Sequence, residues 1–326
     1  MKQQPFEARH QALWQAFSLR LSALERGKAR NAHAEGFSQD YRRLCQHLAL
    51  ARSRNYSSHL IDQLEHLVLR GHQQLYRRRS QLGPNIMAFL AAGFPRQVRA
   101  QWPLVLAACL LLFLSLLLTA LWVYLYPEQV YSILDPAQVA AMQSMYDPQG
   151  GRLGRGVERL ASEDWRMFGY YVMNNIGIAF QTFASGLLLG LGSAFYLVYN
   201  GITIGAVAGH LSSIGSGPTF WSFVIGHGAF ELTAIALAGA AGLGLGLALV
   251  APGRLSRGEA LRRAAKASVQ LVYGVVLLLL LAAFFEAYWS AKSSLPHWLK
   301  FGVGIGLWVL VLTYLTLAGR GRHAPE

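Results

Sequence analysis

Several polar side chains lie in the most apolar stretches of the second half of the chain. His227 and Glu231 are four residues apart, which places them on one face of a helix within reach of each other. If that helix crosses a bilayer, an ionised carboxylate near its middle costs at least about 2.5 kcal/mol, so we expect the pair to set a conformation or to serve a function. The other members of this predicted polar intramembrane cluster are Asn174, Asn175, Asn200, His210 and Glu286.

The residue types limit the chemistry that is open to this cluster. Asparagine often joins helices in membrane bundles, at about 0.6 kcal/mol per hydrogen bond, and this is the preferred interpretation of Asn174 and Asn175. His210, His227 and Glu231 are ligand types of a zinc site, but the sequence has no HExxH motif and no third acidic ligand at a recognisable spacing. We therefore predict no metal, no cofactor and no catalytic residue. An intramembrane hydrolase that uses these three residues ranks last.

Composition and charge indicate which kind of structure must position the cluster. Apolar residues make up 53% of the 326 positions and charged residues 14%, whereas soluble domains average about 25% charged residues. Sixteen of the 29 Lys and Arg residues precede residue 101, and none lies between Arg166 and Arg254. The net charge of +13 fits a positive-inside bias and an anionic inner leaflet. No RNP, zinc-finger or helix-turn-helix pattern supports a nucleic-acid partner, so the predicted surroundings are a lipid bilayer.

Six membrane spans are predicted from the apolar stretches, at 103–126, 168–199, 202–214, 219–250, 267–288 and 299–317. The first can cross a hydrocarbon core of about 30 Å. The third is too short to do so as a straight helix, so it is predicted either to mark a binding site or to be packed inside protein. The basic N-terminal region and the basic segment Arg254–Lys266 should both be cytoplasmic, which an even number of crossings between them satisfies. Residues 127–167 then form an extracytoplasmic loop, and both termini, with a tail at 319–326, are cytoplasmic.

Residues 1–100 are predicted to form a basic cytoplasmic helical domain. Apolar residues recur there at helical spacing in three stripes, the first of which contains Trp14, Phe17, Leu21 and Leu24. The segment near 84–102 mixes apolar and basic residues and suits an interfacial helix, with a fourth core helix of the domain as the alternative. The predicted fold class is therefore all-α: a polytopic integral membrane helical bundle at 103–318, preceded by this domain.

Glycines recur at intervals of four in the middle of the predicted bundle. Small residues let helix backbones approach in lipid, where no hydrophobic force pulls helices together. A tight bundle is therefore predicted, and a homodimer face explains the same pattern equally well. The positions predicted to pack closely are Gly186, Gly190, Gly201, Gly205, Gly209, Gly228, Gly242 and Gly246.

The order of these motifs resembles the stage II sporulation protein M family of bacterial membrane proteins. The residues that carry the resemblance are Asn174-Asn175, Phe183–Gly186, Asn200-Gly201 with Gly205, His227-Gly228-Ala-Phe-Glu231 and Ala238–Gly242. In the N-terminal region, Tyr41-Arg42, Leu48–Arg52, His72 and Tyr76-Arg77 look like the N-terminal extension of long members that occur in bacteria that do not sporulate.

The resemblance implies a location and a set of functions. The family implies the bacterial inner membrane and a non-enzymatic scaffold for envelope-associated or cytoplasmic proteins. Long members tend to be encoded near MoxR-type ATPases, von Willebrand A-domain proteins and RDD-domain membrane proteins, which are therefore the expected partners. The alternative function is a transporter or channel for a small solute or ion that uses the polar cluster as its site.

Overall fold

A computed structural model describes residues 2–25, 36–75, 86–148, 161–292 and 294–320. Regular structure within these ranges is helical, without a strand, and this confirms the all-α class. The chain divides into two compact units, Met1–Gly83 and Pro84–Glu326. We call them the N-terminal unit and the membrane unit. The domain boundary predicted at residue 100 lies inside the membrane unit.

The N-terminal unit is built from three described helices, α1 (Gln3–Glu25), α2 (Phe37–Ser53) and α3 (Ser58–Leu75). Each contributes one apolar stripe to a shared core, as expected for amphipathic helices. Phe6, Trp14 and Phe17 of α1 are almost fully buried there, together with Leu44 of α2 and Leu64 of α3. The predicted motif residues Tyr76 and Arg77 lie outside the described residues.

Charged and titratable side chains surround that core. Arg70 donates hydrogen bonds to both carboxylate oxygens of Glu25, at 3.0 and 2.7 Å, and these bonds hold the pKa of Glu25 below its ordinary value. Burial, followed by the charges of His10 and Arg43, lowers the pKa of His47. The indole N–H of Trp14 donates to Nδ1 of His47 at 3.1 Å, a contact that requires Nδ1 to be unprotonated.

The membrane unit consists mainly of α-helices of seven to 34 residues. In chain order they are α4 (Phe94–Ala100), α5 (Trp102–Leu125), α6 (Pro136–Met145), α7 (Ala161–Ala184), α8 (Leu191–Ser213), α9 (Gly217–Val250), α10 (Arg257–Phe285, continued by a π-helical turn Glu286–Ser290) and α11 (His297–Leu317). Among the described residues, α5, α8, α9, α10 with its π-helical turn, and α11 are long and apolar enough to cross a membrane. The chain is thus a membrane protein. The remaining predicted span falls on α7, which Asn174, Asn175 and Gln181 make less apolar.

Helix α9 lies at the centre of the membrane unit. It contacts α5, α7, α8, α10 and α11. Most of its length is buried, and the buried residues of its second half are largely Ala and Gly, such as Ala234, Ala238 and Gly242. Such small side chains allow several helices to approach one axis, so α9 is the element against which the polar side chains of its neighbours converge.

The predicted boundary between the spans 168–199 and 202–214, at Asn200-Gly201, is wrong. Helix α8 runs through both residues without interruption, and the Asn200 side chain donates to the Tyr196 carbonyl of its own helix at 2.7 Å. The break lies instead after α7, where Leu189 (φ 57°) and Gly190 (φ 86°) take left-handed backbone conformations. The predicted spans 168–199 and 202–214 are therefore replaced by α7 and α8, and the short span does not exist.

The segment near 84–102 packs within the membrane unit. Among its described residues, Phe94 is 1% exposed and its ring lies against Gly274 of α10. Arg99 donates to the carbonyls of Leu315 and Ala318 at 2.8 Å each. Carbonyls at the C-terminal end of a helix have no intrahelical N–H partner, so Arg99 supplies the donors there. A cation at this end of α11 also suits the helix dipole.

Most of the predicted close-packing glycines lie where backbones meet. A Cβ added at Gly201, Gly205 or Gly209 of α8 would collide with backbone carbonyls of α5. Added at Gly186 or Gly190 it would collide with or contact α9 around Gly242 and Gly246. Gly228 differs, because an added Cβ there meets only the Val224 side chain of its own helix, at an ordinary 3.5 Å.

Candidate functional site

Polar side chains from α7, α9 and α10 border a cavity of about 160 Å³. Helix α7 contributes Asn174 and Asn175, α9 contributes Glu231, and the π-helical turn that follows α10 contributes Glu286. The share of liquid volume per water molecule is about 30 Å³, so the cavity has room for a few waters or for one small hydrated ion.

His227 stands beside this cavity and is 5% exposed. Its Nε2 lies 4.0 Å from Oε2 of Glu231, as the spacing of four residues on one helix predicts. Its Nδ1 and the Oγ of Ser290 are 3.2 Å apart. The imidazole is therefore held between the α9 carboxylate on one side and the end of the π-helical turn on the other.

The π-helical turn explains how one short segment reaches the site twice. Glu286 and Ser290 are its first and last residues, and the wider turn brings residues of this spacing onto one face. Single π-helical turns inside α-helices are rare and are frequent at functional sites. The turn thus places the Glu286 carboxylate and the Ser290 hydroxyl on the same side, toward α9.

Three potential metal-ligating side chains meet at this point. Ligand atoms of His227, Glu231 and Glu286 all lie within 4.8 Å of one another. The sequence offers no third acidic ligand at a recognisable spacing, which is why no metal site is predicted from it. Glu286, predicted as a member of the polar cluster, is that third ligand. It comes from a different helix 55 residues further along, so no local spacing links it to His227 and Glu231. We call these three residues the His–Glu–Glu site.

A buried lysine lies behind the same turn. Lys300 of α11 is 1% exposed, and its Nζ donates to the Ser290 carbonyl at 2.8 Å. Lys300 is not among the residues predicted for the site from the sequence. A cation inside an apolar span is a signal that could have found it, since such residues in membranes are generally paired and face the protein interior.

The asparagine pair borders the cavity from α7. Nδ2 of Asn174 donates to Oδ1 of Asn175 at 2.9 Å. Asn175 is 3% exposed, and its Nδ2 is a buried donor without a hydrogen-bond acceptor among the described residues. A buried amide donor left without an acceptor costs about 1–3 kcal/mol, so an acceptor in the cavity would stabilise this arrangement.

The structure does not bring His210 or Asn200 to the His–Glu–Glu site. Nε2 of His210 lies 2.9 Å from Nε2 of Gln143, a residue of α6. Asn200 bonds to its own helix. The hydrolase set His210, His227 and Glu231 is therefore not assembled, because α8 turns His210 toward α6 while α9 turns His227 toward α10.

Helix α6 closes one end of the cavity. Met142, Met145 and Tyr146 at its end contribute to the lining. The Tyr146 ring packs edge-on against Phe220 and Phe223 of α9, with centroids 5.2 and 5.6 Å apart. A capping box at Asp135, with Pro136 in the first turn, starts this helix. The site is thus covered by a short, locally well-specified element.

Comparison with known proteins follows the same division into two units. A family model described as stage II sporulation protein M matches residues 109–291, a range that contains the His–Glu–Glu site. A second model, described as a domain of unknown function (DUF8413), matches residues 4–77. No curated protein and no solved structure matches the chain.

Proposed function

This chain belongs to the stage II sporulation protein M family, and from that premise we propose that it is a non-enzymatic scaffold of the bacterial inner membrane. One observation carries the proposal. The N-terminal unit has its own helical core and its own family model, separate from the membrane unit that carries the family match. A membrane anchor joined to an independently organised helical unit is the architecture that a scaffold requires.

A groove on the N-terminal unit supports this role. It lies between α2 and α3, has a volume of about 670 Å³, and is bordered by Leu69 and Val68 together with the charged residues Arg52 and Glu65. Leu69 is 57% exposed. An apolar centre with a charged rim is the usual composition of a protein-binding surface. We propose that it receives a MoxR-type ATPase, a von Willebrand A-domain protein or an RDD-domain protein, as the family resemblance implies.

The proposed orientation follows from charge. Arg254–Lys266 and the N-terminal unit carry the strongest positive charge, which favours the cytoplasmic side for both. If α7 crosses the membrane together with the five apolar helices, both termini lie in the cytoplasm. Residues 127–160 then lie outside, and α6 covers the cavity from that side. Labelling of single cysteines introduced at Gln129 and at Arg257 by a membrane-impermeant reagent tests this orientation.

Direct binding tests the scaffold. Full-length protein in nanodiscs is titrated with the three purified candidate partners from the same bacterium, with and without Leu69→Glu. We expect one partner to bind, and Leu69→Glu to weaken it at least tenfold. Leu19→Glu is the matched control, because Leu19 is 74% exposed on α1 and does not border the groove. Absence of binding by all three partners overturns the scaffold proposal in this form.

The polar cavity favours a second candidate, a transporter or channel for a small solute or ion. The cavity brings two carboxylates and two amides into the interior of the membrane unit, where polar groups commonly mark an ion or substrate path. Proton and small-ion flux into sealed liposomes is the test, with Glu231→Gln beside the wild type and His210→Gln as the control. Flux that is lost only in Glu231→Gln supports transport, and absence of flux in the wild type eliminates it for the ions tested.

A further inference from the structure

We propose that the His–Glu–Glu site binds one divalent first-row transition-metal ion of the Zn²⁺ type, ligated by His227, Glu231 and Glu286. This goes beyond the scaffold proposal, which requires no ligand in the membrane unit. Scaffolding and metal binding are also measured separately, so either proposal can fail without the other.

Ligand type and distance are the first argument. One imidazole nitrogen and two carboxylates from three turns of helix lie within 4.8 Å of one another. Zinc bonds of about 2.0–2.2 Å to nitrogen and oxygen place tetrahedral ligands roughly 3.4 Å apart. Rotation of the two glutamate side chains, which moves their ligand atoms by about 1 Å, is therefore enough to bring the three ligands to zinc-binding distance. The helices that carry them do not need to move.

The orientation of His227 is the second argument. Its Nδ1 is engaged by Ser290 Oγ at 3.2 Å, and Nε2 is the nitrogen that faces Glu231. Metal-ligating histidines almost always donate the other ring N–H to an oxygen, which orients the ring and leaves the free nitrogen to the metal. If Nδ1 donates to Ser290, Nε2 carries the free lone pair on the side of Glu231. Three electron-pair donors that face one another are stabilised by a cation between them.

Charge is the third argument. Two carboxylates at this distance cannot both ionise without strong mutual repulsion in a medium of low dielectric constant. The hydrogen bond of Lys300 goes to the Ser290 carbonyl, and Ser290 is the residue that contacts Nδ1 of His227. A divalent cation at the centre of the site neutralises both glutamates at once.

A buried amide beside the three ligands also lacks an acceptor. Asn175 lines the cavity together with Glu231 and Glu286, and its Nδ2 is buried and without an acceptor among the described residues. A water bound to the metal, or a ligating carboxylate, supplies the missing acceptor. The cavity volume of about 160 Å³ accommodates such a water beside the ion, since one water occupies about 30 Å³.

The ligand set also selects among metals. Mg²⁺ and Ca²⁺ prefer oxygen ligands only, whereas imidazole together with carboxylate suits Zn²⁺, Mn²⁺ and Fe²⁺. With three protein ligands, the site leaves a fourth coordination position of a tetrahedral ion open for water.

Metal binding is measured on the full-length protein in detergent after its affinity tag is removed. The protein is stripped with a chelator and titrated with Zn²⁺, with elemental analysis after gel filtration. The N-terminal unit contains a histidine pair of its own, since the rings of His10 and His47 are 4.1 Å apart. All samples therefore carry His10→Gln and His47→Gln, so that zinc bound at this pair does not count.

We expect one equivalent of Zn²⁺, and an excess of Mg²⁺ should not displace it. Glu286→Gln and His227→Gln should each reduce the affinity at least tenfold, and Ser290→Ala, which removes the partner of Nδ1, should reduce it tenfold to a hundredfold. His210→Gln is the matched control, because His210 is another buried histidine of the membrane unit and lies outside the site. Binding by Glu286→Gln equal to that of the wild type overturns the proposal.

Cobalt gives a second measurement that does not depend on whether the variants fold. Co²⁺ bound to the wild-type site should show the visible absorption bands of a low-symmetry nitrogen and oxygen environment, and one equivalent of Zn²⁺ should abolish them. A protein that carries only His10→Gln and His47→Gln, and so keeps the His–Glu–Glu site intact, overturns the proposal by itself if it retains less than a tenth of an equivalent of Zn²⁺ and shows no such bands.

Discussion

The two units of this chain bury different kinds of side chain. The N-terminal unit buries large side chains, among them Phe6, Trp14 and Phe17, and keeps its ion pairs at the surface. The membrane unit buries Ala and Gly around α9 and places carboxylates and amides in its interior. In water, burial of apolar area supplies the driving force, whereas in lipid close backbone approach and polar contacts must replace it. Removal of a large side chain should therefore destabilise the N-terminal unit most, whereas addition of a side chain should destabilise the membrane unit most.

Removing a large side chain should have its largest effect in the N-terminal unit. Phe17 is 1% exposed, and its ring stacks on that of Phe37 with centroids 5.0 Å apart. Phe17→Ala leaves a cavity and should cost about 3–5 kcal/mol. Hydrogen exchange resolved by segment, on the full-length protein, should show lost protection in α1, α2 and α3 but not in α5 or α8.

Leu19→Ala provides the control for this change. Leu19 lies on the same helix but is 74% exposed, so its truncation should stay within about 0.5 kcal/mol. Equal loss of protection in the two variants would contradict the assignment of the N-terminal core.

Adding a side chain should have the larger effect in the membrane unit. A Cβ at Gly205 would collide with the Leu116 carbonyl and lie 3.1 Å from the Ala120 nitrogen of α5. Gly205→Val should therefore cost about 1–3 kcal/mol or more through overpacking. Gly302→Val on α11 is the matched control, because an added Cβ at Gly302 meets nothing within 4 Å. Thermal unfolding in detergent should separate the two variants, and equal midpoints would disprove the close approach of α5 and α8.

The sequence predicted this contrast well where local pattern decides it. The apolar stripes of α1 to α3 and the glycine intervals of α8 and α9 are periodic, and periodicity reports which face is buried. The family also follows from local motifs, because Asn174-Asn175 and His227 to Glu231 are short and ordered. The buried helix faces and the family can therefore be predicted even when the helix boundaries are wrong by a few residues.

The composition of the His–Glu–Glu site could be predicted only in part. His227 and Glu231 share one helix, so their spacing was enough to pair them. Glu286 and Ser290 join them through a π-helical turn, and His210 turns away toward Gln143. Glu286 and His210 were both predicted as members of the polar cluster, but which of them comes within ligand distance of His227 and Glu231 depends on helix rotation and on one irregular turn. Residue type and depth do not determine that. The break at Leu189 and Gly190 was hidden for a related reason, because it lies within a run of leucines that is typical of a continuous span.

A polar contact between helices should matter little in the membrane unit compared with the glycine packing. Ser268 of α10 is buried, and its hydroxyl donates to the Ala241 carbonyl of α9 at 2.9 Å. Ser268→Ala should cost about 0.6 kcal/mol, the average for such bonds in membrane bundles. Thr316→Ala serves as control because its hydroxyl bonds to carbonyls of its own helix. A loss from Ser268→Ala as large as that from Gly205→Val would show that hydrogen bonds hold the bundle together as much as packing does.

The smallest effect is expected for a surface ion pair of the N-terminal unit. Arg70 and Glu25 retain 24% and 34% side-chain exposure, so Arg70→Gln should cost less than about 0.5 kcal/mol, and salt should reduce that cost further. The contact lowers the pKa of Glu25 in the folded state, so its contribution is present above the ordinary value of 4.5. It is lost as the pH falls through the lower folded value, where the folded carboxylate becomes protonated. Segment-resolved hydrogen exchange in α1 and α3, corrected for intrinsic rates, should show wild type and Arg70→Gln converging below pH 4.5. A difference that persists there would mean that the guanidinium stabilises this unit by packing on its neighbours, as the aromatic core does, and not by its charge.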